Sequence, residues 1–489
     1  MGAKIAIDRI PVCGRIPHFN HKVVKQMYYH IWTIGCQMNV ADSQRVAAGL
    51  ERLGYTPTDR AEDADVMILN TCVVRQQPED KATNRLNQLR SIKERYPERV
   101  LGLMGCMVGV KDPAPLRERF PWVDLFLPPS DPTELWSHLA ENGKLGEAQT
   151  LIADAEARRL ALGRTDTILP ASEQGHVVNA YLPIVLGCSH ACTYCVIPYR
   201  RGAERSRPMS AIIAEAHQLA AQGVRQLTLL GQIVDRYGYD LPEFGRSSET
   251  PLVALLREIH AIEGFKRIRF LTSHPNWMRD DLLDAVAELP KVCPHIEVPV
   301  QAGDDEVLTR MRRGYTVDDY RKLVARIRER IPGVSIATDI IVGFPGETKA
   351  QFDNTCDLLK ELRLDKAHIA RYSARPQTVA TRRFDDNLSH EEKERRRKVL
   401  DNLQSDILTE INARYLDETV DILVEGWHAR RKRWFGRTTT DRLVFFDPVQ
   451  DSGRDPGEAG RDTNRLGHIV PVHIEWAGPW SLVGKPAEE

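Results

Sequence analysis

The sequence predicts an α/β protein of three domains: an N-terminal parallel α/β sheet domain, a central partial (β/α)6 barrel, and a small C-terminal all-β barrel. Two regions alternate short apolar runs with amphipathic segments, which is typical of parallel sheets covered by helices. The C-terminal region contains only short alternating runs, which favours a small barrel of antiparallel strands. A chain of 489 residues is also too long for one hydrophobic core.

The composition is that of an ordinary globular protein, with 42% hydrophobic and 28% charged residues. Residues 1–30 lack an apolar run of signal-peptide length, and the sequence has no run of the roughly 20 apolar residues that a membrane span needs. We therefore expect a cytoplasmic protein with no membrane partner. The formal net charge of −1 indicates no nucleic-acid partner by itself, so any RNA site must be local.

The N-terminal domain is expected at 28–145, after an N-terminal extension at 1–27. Its predicted strands are 28–35, 66–70, 100–105 and 124–127, and its predicted helices are 43–53, 79–95 and 132–139. Residues 146–175 have no clear periodicity and are predicted to be a linker. Alternation of this kind predicts a parallel sheet with helices on its faces.

The central domain is expected at 176–415. Its predicted strands are 181–187, 226–230, 267–271, 295–300, 335–342 and 367–372, separated by helices at 210–222, 251–262, 280–289, 317–331 and 349–362. Six such units predict an incomplete barrel, because eight would need more chain. An amphipathic helix at 389–416 leads into the last domain, 416–485, with strands at 420–425, 435–439, 442–446 and 469–476.

Three cysteines follow the first barrel strand in the pattern C-x3-C-x2-C: Cys188, Cys192 and Cys195. Three thiolates on one short loop can bind three corners of an iron–sulfur cubane, which leaves the fourth iron open to a substrate or cofactor. A structural zinc loop is the alternative, and it would need a fourth ligand. His190 lies within the loop and is the nearest such candidate.

A second set of cysteines ends three apolar runs upstream: Cys36, Cys72 and Cys106. Their gaps of 36 and 34 residues are close to one strand–helix–strand repeat of about 30 residues or more. Successive parallel strands would bring the three thiols to one sheet edge, where the following helices present their positive ends. Three buried thiols are the alternative interpretation. Cys13, Cys293 and Cys356 fit no pattern and receive no role.

The cysteine spacing in a (β/α) barrel resembles the radical S-adenosylmethionine (radical SAM) superfamily, and the two cysteine sets with a terminal β domain resemble its methylthiotransferase family. The resemblance covers about residues 28–485. It implies two [4Fe-4S] clusters, with Cys188, Cys192 and Cys195 as the catalytic cluster ligands. It also implies two S-adenosyl-L-methionine (SAM) molecules, one donating a methyl group to sulfur and one generating the radical that removes hydrogen from the substrate carbon. A low-potential electron donor of the flavodoxin or ferredoxin type is implied too.

Several motifs resemble the branch that methylthiolates N6-isopentenyl-adenosine at tRNA position 37. They are GCQMN around Cys36, NTCVVR around Cys72, YRRGAERSRP at 199–208, SHP at 273–275, VPVQAG at 298–303, RRGYT at 312–316 and DIIVGFPGET at 339–348. Other branches act on threonylcarbamoyl-adenosine in tRNA or on a small-subunit ribosomal protein, and remain alternatives. GCMVG at 105–109, Ile233 and RPQTVA at 375–380 depart from the usual pattern, which affects substrate contacts and not the reaction class.

Five residues at strand ends are candidates for binding the cofactor. Gly343, Gly346 and Glu347 follow the fifth barrel strand, where glycines permit close backbone approach, although a simple turn explains them equally well. Gln232 and Gln301 sit at carboxyl ends of strands, the face that carries chemistry in such barrels. Ser273 and His274 share that position. Arg201, Arg205 and Arg207 could bind an anion or lie on a solvated surface.

The last domain carries a basic segment, HARRKRWFGRTTTDR at 428–442. Basic charge with interleaved aromatic rings suits RNA, with cations for phosphates and rings for unpaired bases. The predicted RNA-binding residues are Arg430, Arg431, Lys432, Arg433, Trp434 and Arg437, in a domain that resembles TRAM; a solvated face is the alternative. We predict a monomer that binds tRNA, and a non-catalytic redox sensor is the rival from another class.

Overall fold

The three-domain α/β fold is confirmed in a computed structural model of the chain. The structure describes residues 26–74, 76–141, 149–153, 169–245, 249–448 and 465–487. The predicted extension at 1–27 and the linker at 146–175 therefore lie mostly outside the described residues. Among the described residues no helix is long and apolar enough to cross a membrane.

The N-terminal domain is a five-stranded parallel sheet in the order β2-β1-β3-β4-β5. Its strands are β1 Met27–Thr33, β2 Tyr55–Pro57, β3 Val66–Thr71, β4 Val100–Gly105 and β5 Leu125–Leu127. Its helices are α1 Gln37–Arg52, α2 Gln76–Arg95, α3 Ala114–Arg119 and α4 Thr133–Glu141. Strands β3 and β4 are buried along their whole length, because α1 and α4 cover one face and α2 the other.

The central domain contains six parallel strands arranged as β6-β9-β10 and β11-β12-β13. These are β6 Asn179–Pro183, β9 Gln226–Leu230, β10 Arg267–Leu271, β11 His295–Glu297, β12 Ser335–Val342 and β13 Lys366–Arg371. A parallel bridge between Ile268 and Val292 joins the two halves. A short antiparallel pair, β7 Val185–Leu186 and β8 Arg205–Ser206, flanks the cysteine loop.

The barrel helices carry the apolar periodicity that the sequence shows, and they pack against the outside of the strands. They are α6 Met209–Ala221, α7 Pro251–Ala261, α8 Asp280–Glu288, α9 Asp305–Met311, α10 Val317–Arg330, α11 Lys349–Leu362, α12 Val379–Arg383 and α13 His390–Ala413. A further short helix, α5 Ile197–Arg201, follows the cysteine loop. The partial (β/α)6 barrel is therefore confirmed.

The C-terminal domain is a closed barrel in the order β14-β15-β16-β18-β17. Its strands are β14 Thr419–His428, β15 Arg433–Arg437, β16 Leu443–Phe446, β17 Ile469–Ala477 and β18 Leu482–Pro486. The last strand was not expected from the sequence. Closure removes the exposed edges that a four-stranded sheet would keep. We call this domain the small barrel, and its assignment as TRAM stays a prediction.

The small barrel sits at the amino ends of the central strands. Arg269 donates from its Nη2 atom to the carbonyl oxygen of Thr438 at 2.8 Å, and Arg267 donates to that of Arg437. Arg442 pairs with Asp365, which precedes β13. The carboxyl ends of the strands are thus left to face the N-terminal domain.

A buried carboxylate joins the N-terminal domain to the central barrel. Glu215 on α6 is fully buried and pairs with Arg45 of α1. It also accepts a hydrogen bond from Arg207 at 2.5 Å. A carboxylate with two buried arginine partners resists separation, because moving one partner leaves an uncompensated charge in the interior.

Candidate iron–sulfur and cofactor site

All six cysteines of the two predicted sets line one cavity of about 460 Å³ between the N-terminal domain and the carboxyl ends of the barrel strands. The N-terminal sheet contributes Cys36, Cys72 and Cys106 to its lining, and the barrel loop contributes Cys188, Cys192 and Cys195. The convergence of the three upstream cysteines therefore agrees with their repeat spacing. The interpretation of them as unrelated core thiols does not explain why they share this cavity.

A pair of buried asparagines fixes the upstream cysteines. Cys36 is the N-cap residue of α1, and its backbone N–H donates to Oδ1 of Asn39 at 3.3 Å. Asn39 in turn donates to Oδ1 of Asn70 at 2.8 Å, and Asn70 donates back to the carbonyl of Asn39 at 2.9 Å. Asn70 lies at the end of β3, two residues before Cys72. The two strand ends are therefore tied together through side-chain amides.

Glycines precede Cys36, Cys106 and Cys188, and the backbone at Gly105 and Gly187 leaves no room for a larger residue. Gly105 has a φ of +97°, and a Cβ atom on it would lie 2.6 Å from the carbonyl oxygen of Thr71. Gly187 has a φ of +70°, and its Cβ atom would lie 2.1 Å from the carbonyl oxygen of Ala203. Both positions require glycine for conformation and for space.

The thiols of each set lie close enough to influence each other's ionisation. Burial first, and then the neighbouring Cys106 and Cys36, raise the pKa of Cys72 to about 11. Burial first, and then Cys192, raise the pKa of Cys195 to about 12. Buried, mutually repelling thiolates need a positive group among them, which a bound iron cluster provides.

The donor set fits two cubane clusters and gives no support to a single zinc ion. Among the described residues no group of three His, Cys, Asp or Glu side chains converges on a point that could hold one metal ion. In a [4Fe-4S] cluster each thiolate binds a different iron, so the sulfurs stand further apart than the ligands of one zinc ion. His190, the proposed fourth zinc ligand, has its Nε2 atom 3.1 Å from Nε2 of His274 instead.

Two buried arginines also reach the cysteine sulfurs. The Nε atom of Arg201 donates to Sγ of Cys106 at 3.2 Å, and the Nη1 atom of Arg313 donates to Sγ of Cys192 at 3.2 Å. Arg201 and Arg207 are both buried, so a solvated surface is the wrong interpretation for these two. Arg205 is exposed. Arg313 belongs to the motif RRGYT, but no sequence pattern predicts its contact with Cys192.

The five predicted cofactor residues separate into two groups. Gln232 and Gln301 line the cavity. Gly343, Gly346 and Glu347 do not line it. Glu347 is buried, accepts a hydrogen bond from the N–H of Gly343 at 2.6 Å, and pairs with Arg396 at 2.8 Å. Glu347 therefore stabilises the turn after β12 and its contact with α13. Its role in binding the cofactor stays a prediction.

Acidic and basic groups on adjacent barrel strands were missed by the sequence reasoning. Glu297, Asp339 and His368 line the cavity from β11, β12 and β13, and Asp339 and His368 are partners in the strand register. Burial first, and then Asp339, raise the pKa of Glu297 to about 7. The sequence signal that could have identified these residues is the presence of a charged or titratable side chain within an otherwise apolar strand.

The predicted RNA-binding segment is divided between surface and core. Arg430, Arg431 and Lys432 are exposed in the turn between β14 and β15. Trp434 is only 3% exposed and packs in the core of the small barrel. A ring enclosed in this way has no face open to a base, which corrects the prediction that Trp434 binds RNA.

The remaining basic residues of that segment are paired. Arg433 pairs with Asp447 at 2.8 Å, and Arg437 pairs with Asp441 at 3.4 Å beside the central domain. Exposed rings occur elsewhere on the small barrel, at Trp476 and Trp480, which are 53% and 61% exposed. No sequence pattern marked those two rings.

Comparisons with known proteins agree with this geometry. Residues 182–359 match the Radical SAM superfamily, and residues 28–128 match the Uncharacterized protein family UPF0004. A tRNA-2-methylthio-N(6)-dimethylallyladenosine synthase of Roseiflexus sp. (strain RS-1) is 44% identical over 463 residues, which cover 94% of this chain and 90% of the relative. The protein of that name from Chloroflexus aurantiacus is 43% identical over 466 residues, which cover 94% and 92%.

The chain belongs to the tRNA-2-methylthio-N(6)-dimethylallyladenosine synthase family. The radical SAM match places a SAM-binding [4Fe-4S] cluster in the central domain, and enzymes of this family carry a second cluster. The fit of the six cysteines to one cavity is consistent with both cofactors. The family resemblance drawn from GCQMN and the two cysteine sets is confirmed.

Proposed function

We propose that this protein transfers a methylthio group to C2 of N6-isopentenyl-adenosine at position 37 of tRNA. The observation that carries the proposal is the single cavity shared by two sets of three cysteines. Three protein ligands would leave the fourth iron of each bound cluster without a protein ligand and so able to bind another molecule. The relatives that share over 40% identity with nearly the whole chain are named for this product.

The bound clusters and SAM supply the radical, methyl and sulfur chemistry, and the protein holds and orients them. The Asn39–Asn70 amide pair holds the strand ends that carry Cys36 and Cys72. The hydrogen bond between His190 and His274 holds the loop that carries the barrel cysteines. Reacting groups held at a set distance need no further ordering at the moment of reaction.

The cavity walls offer polar groups for a flat heterocycle between largely apolar surfaces. Gln232 and Gln301 are amides with both donors and acceptors, which suits the edge of an adenine. Leu230, Ile233 and Leu271 supply apolar surface in the same cavity. This mixture suits a base that carries an apolar isopentenyl group, since few polar groups are needed to fix its orientation.

We propose that the exposed basic turn at 429–432 binds the tRNA backbone, and that rings such as Trp480 stack on unpaired bases. A flavodoxin- or ferredoxin-like protein is the proposed electron donor, because cofactor cleavage by the cluster consumes one electron. The monomeric state stays a prediction.

The test is an anaerobic incubation of the reconstituted protein with SAM, a reductant and tRNA carrying N6-isopentenyl-adenosine, followed by mass spectrometry of the nucleosides. We expect a new nucleoside heavier by one methylthio group. If SAM is cleaved but the nucleoside is unchanged, the radical chemistry stands and the substrate assignment is wrong. Threonylcarbamoyl-adenosine tRNA and the small-subunit ribosomal protein are then the next substrates to try.

A further inference from the structure

Each cysteine set receives one hydrogen bond from one buried arginine. Arg201 reaches Cys106 of the N-terminal set, and Arg313 reaches Cys192 of the barrel set, both at 3.2 Å. The side chain of Arg201 is 3% exposed, and Arg313 is 5% exposed. An arginine remains charged under these conditions, so each set has a permanent positive charge beside one of its sulfurs.

Arg201 connects two domains, whereas Arg313 acts within one. Arg201 is the last residue of α5 in the central domain, and its target sulfur belongs to the N-terminal domain. Its Nη2 atom lies 3.9 Å from Oδ2 of Asp42 on α1 and makes no hydrogen bond to any described residue. Its guanidinium is therefore held in the domain interface with one nitrogen left to serve another acceptor.

The residue next to Arg201 contacts the other cysteine set. The carbonyl oxygen of Gly202 accepts a hydrogen bond from the backbone N–H of Cys188 at 3.1 Å. One dipeptide thus touches a cysteine of each set, Cys188 through its backbone and Cys106 through a side chain.

We propose that Arg201 is a positioning residue for the cluster of Cys36, Cys72 and Cys106: it holds the Cys106 sulfur toward the cavity and raises the reduction potential of that cluster. Arg313 serves the barrel cluster in the same way. The proposal rests on the proposed function only in requiring that both clusters are present.

The direction of the effect follows from charge. Reduction adds an electron to the cluster, and a hydrogen bond or positive charge at a ligand sulfur stabilises the more negative state. Burial leaves this interaction little screened by solvent. Removing the charge from Arg201 should therefore make the N-terminal cluster harder to reduce, and the effect on the potential of the barrel cluster, which receives no hydrogen bond from Arg201, should be smaller.

The potential of each cluster is measured in a background variant that keeps only that cluster. One background carries Cys188→Ala, Cys192→Ala and Cys195→Ala and keeps the N-terminal cluster. The other carries Cys36→Ala, Cys72→Ala and Cys106→Ala and keeps the barrel cluster. Each background then receives Arg201→Gln, Arg201→Lys or Arg313→Gln. The midpoint reduction potential of the remaining cluster is measured by redox titration with electron paramagnetic resonance.

We expect Arg201→Gln to shift the N-terminal cluster to a more negative potential and to shift the barrel cluster much less, with the reverse for Arg313→Gln. Arg201→Lys, which keeps the charge, should restore part of the shift. An unchanged N-terminal potential at full iron content, or equal shifts in both backgrounds, would overturn the proposal. If the potentials shift as expected but the parent protein with both clusters forms no methylthiolated nucleoside, the proposed function is wrong and the role of Arg201 stands.

Failure to load iron is also informative. If Arg201→Gln loses the N-terminal cluster while the cluster-free protein melts at the parent temperature, the hold on Cys106 is supported. If iron content and melting temperature fall together, and fall equally in Arg201→Lys, Arg201 is only a structural contact between domains and the proposal is wrong. Arg207→Gln, which removes a buried arginine that pairs with Glu215 and not with cysteine, provides the comparison for such a structural loss.

Discussion

The Nε2 atom of His274 lies 3.1 Å from the Nε2 atom of His190, so two neutral imidazoles join the SHP segment to the cysteine loop. The backbone N–H of Asn276 donates to Nδ1 of His274 at 3.3 Å, which places the proton of His274 on Nε2. Burial lowers the pKa of His274 to about 2 and also lowers that of His190. His274 is therefore the donor and His190 the acceptor.

Replacing His274 with alanine should loosen the loop that carries Cys188 and Cys192. The variant loses the hydrogen bonds of the ring to His190 and from Asn276, each a contribution of about 1 kcal/mol, and the support of a packed ring. We expect the barrel cluster to be lost faster to a chelator, measured by iron release and by the visible absorbance of the cluster. His217→Ala, on the exposed side of α6, is the control; equal rates in the two variants would contradict this role.

Single cysteine changes should remove one cluster and leave the other. Cys106→Ala should lower the iron content while reductive SAM cleavage persists, because the barrel set is intact. Cys192→Ala should lower the iron content and abolish cleavage. Iron analysis with chromatography of 5′-deoxyadenosine measures both. Cys293→Ala is the control, since Cys293 is a buried thiol outside the cavity; iron loss in this variant equal to that in Cys106→Ala would argue against two separate sites.

Glu347→Gln should affect stability more than cofactor affinity. The change removes the buried one of the two carboxylate partners of Arg396 and leaves it only Glu392, at 2.8 Å. Breaking a buried pair costs about 3 kcal/mol, and the remaining partner makes that figure an upper bound. Denaturant unfolding should show the loss, whereas SAM binding to the reconstituted protein should stay near the parent value. Gln232→Ala, in the cavity wall, is expected to do the opposite. A Glu347→Gln variant that unfolds normally and binds SAM poorly would favour direct cofactor contact.

Asp441 should make the joint between the small barrel and the central domain sensitive to acid. Burial raises its pKa, but His295 and the arginines and lysine around it outweigh burial and hold the pKa below the ordinary value. Its folded-state pKa is depressed, so its stabilisation is present above the unfolded pKa of about 3.9 and is lost as the pH falls through the folded value.

The variant Asp441→Asn should therefore lower the free energy of unfolding by roughly 2 kcal/mol at pH 7. The difference from the parent protein should shrink as the pH falls below about 4. Denaturant titrations across that range measure it. Asp406→Asn, an exposed change on α13, is the control, and a difference for Asp441→Asn that stays constant with pH would show that lost packing, not charge, is responsible.

Charge reversal in the exposed turn of the small barrel should weaken tRNA binding in a salt-dependent manner. Arg430→Glu and Arg431→Glu each remove a cation that would displace counterions from the phosphates. Both the affinity for tRNA and the steepness of its decrease with salt concentration should therefore fall. Filter binding at several salt concentrations measures the effect. Lys322→Glu, on the outer face of α10 where that side chain is 73% exposed, should leave the slope unchanged. An equal slope in all three proteins would remove the turn from the proposed RNA surface.

The sequence predicted the parallel strands well because they are buried on both faces. Strands 100–105, 226–230, 267–271 and 335–342 were placed with the bounds that the structure has. Short edge elements were harder: β2 has three residues and includes Pro57, so it lacks a buried run that periodicity could detect. Helix α1 begins at Gln37, six residues before the predicted start, because Cys36 acts as an unusual N-cap.

The cysteine ligands were predictable and the contacts around them were not. Spacing along the chain reflects the strand–helix repeat, which is why Cys36, Cys72 and Cys106 could be placed at one edge. The contact between Arg201 and Cys106 joins residues 95 positions apart in different domains, and no local pattern encodes it. Trp434 shows the converse error, since a motif of basic and aromatic residues does not reveal which ring points into a core.

Because the small barrel lies at the amino ends of the central strands, only a large ligand can contact it and the cysteine cavity at the same time. The cysteine cavity is at the opposite ends of those strands, which at about 3.3 Å per residue are roughly 15 Å long. A free nucleoside can fill the cavity but cannot reach the small barrel at the same time. A folded nucleic acid is large enough to touch both, so its affinity can draw on two separated contacts. If the small barrel binds tRNA as proposed, the distance between the domains favours a nucleoside within a tRNA over the same free nucleoside.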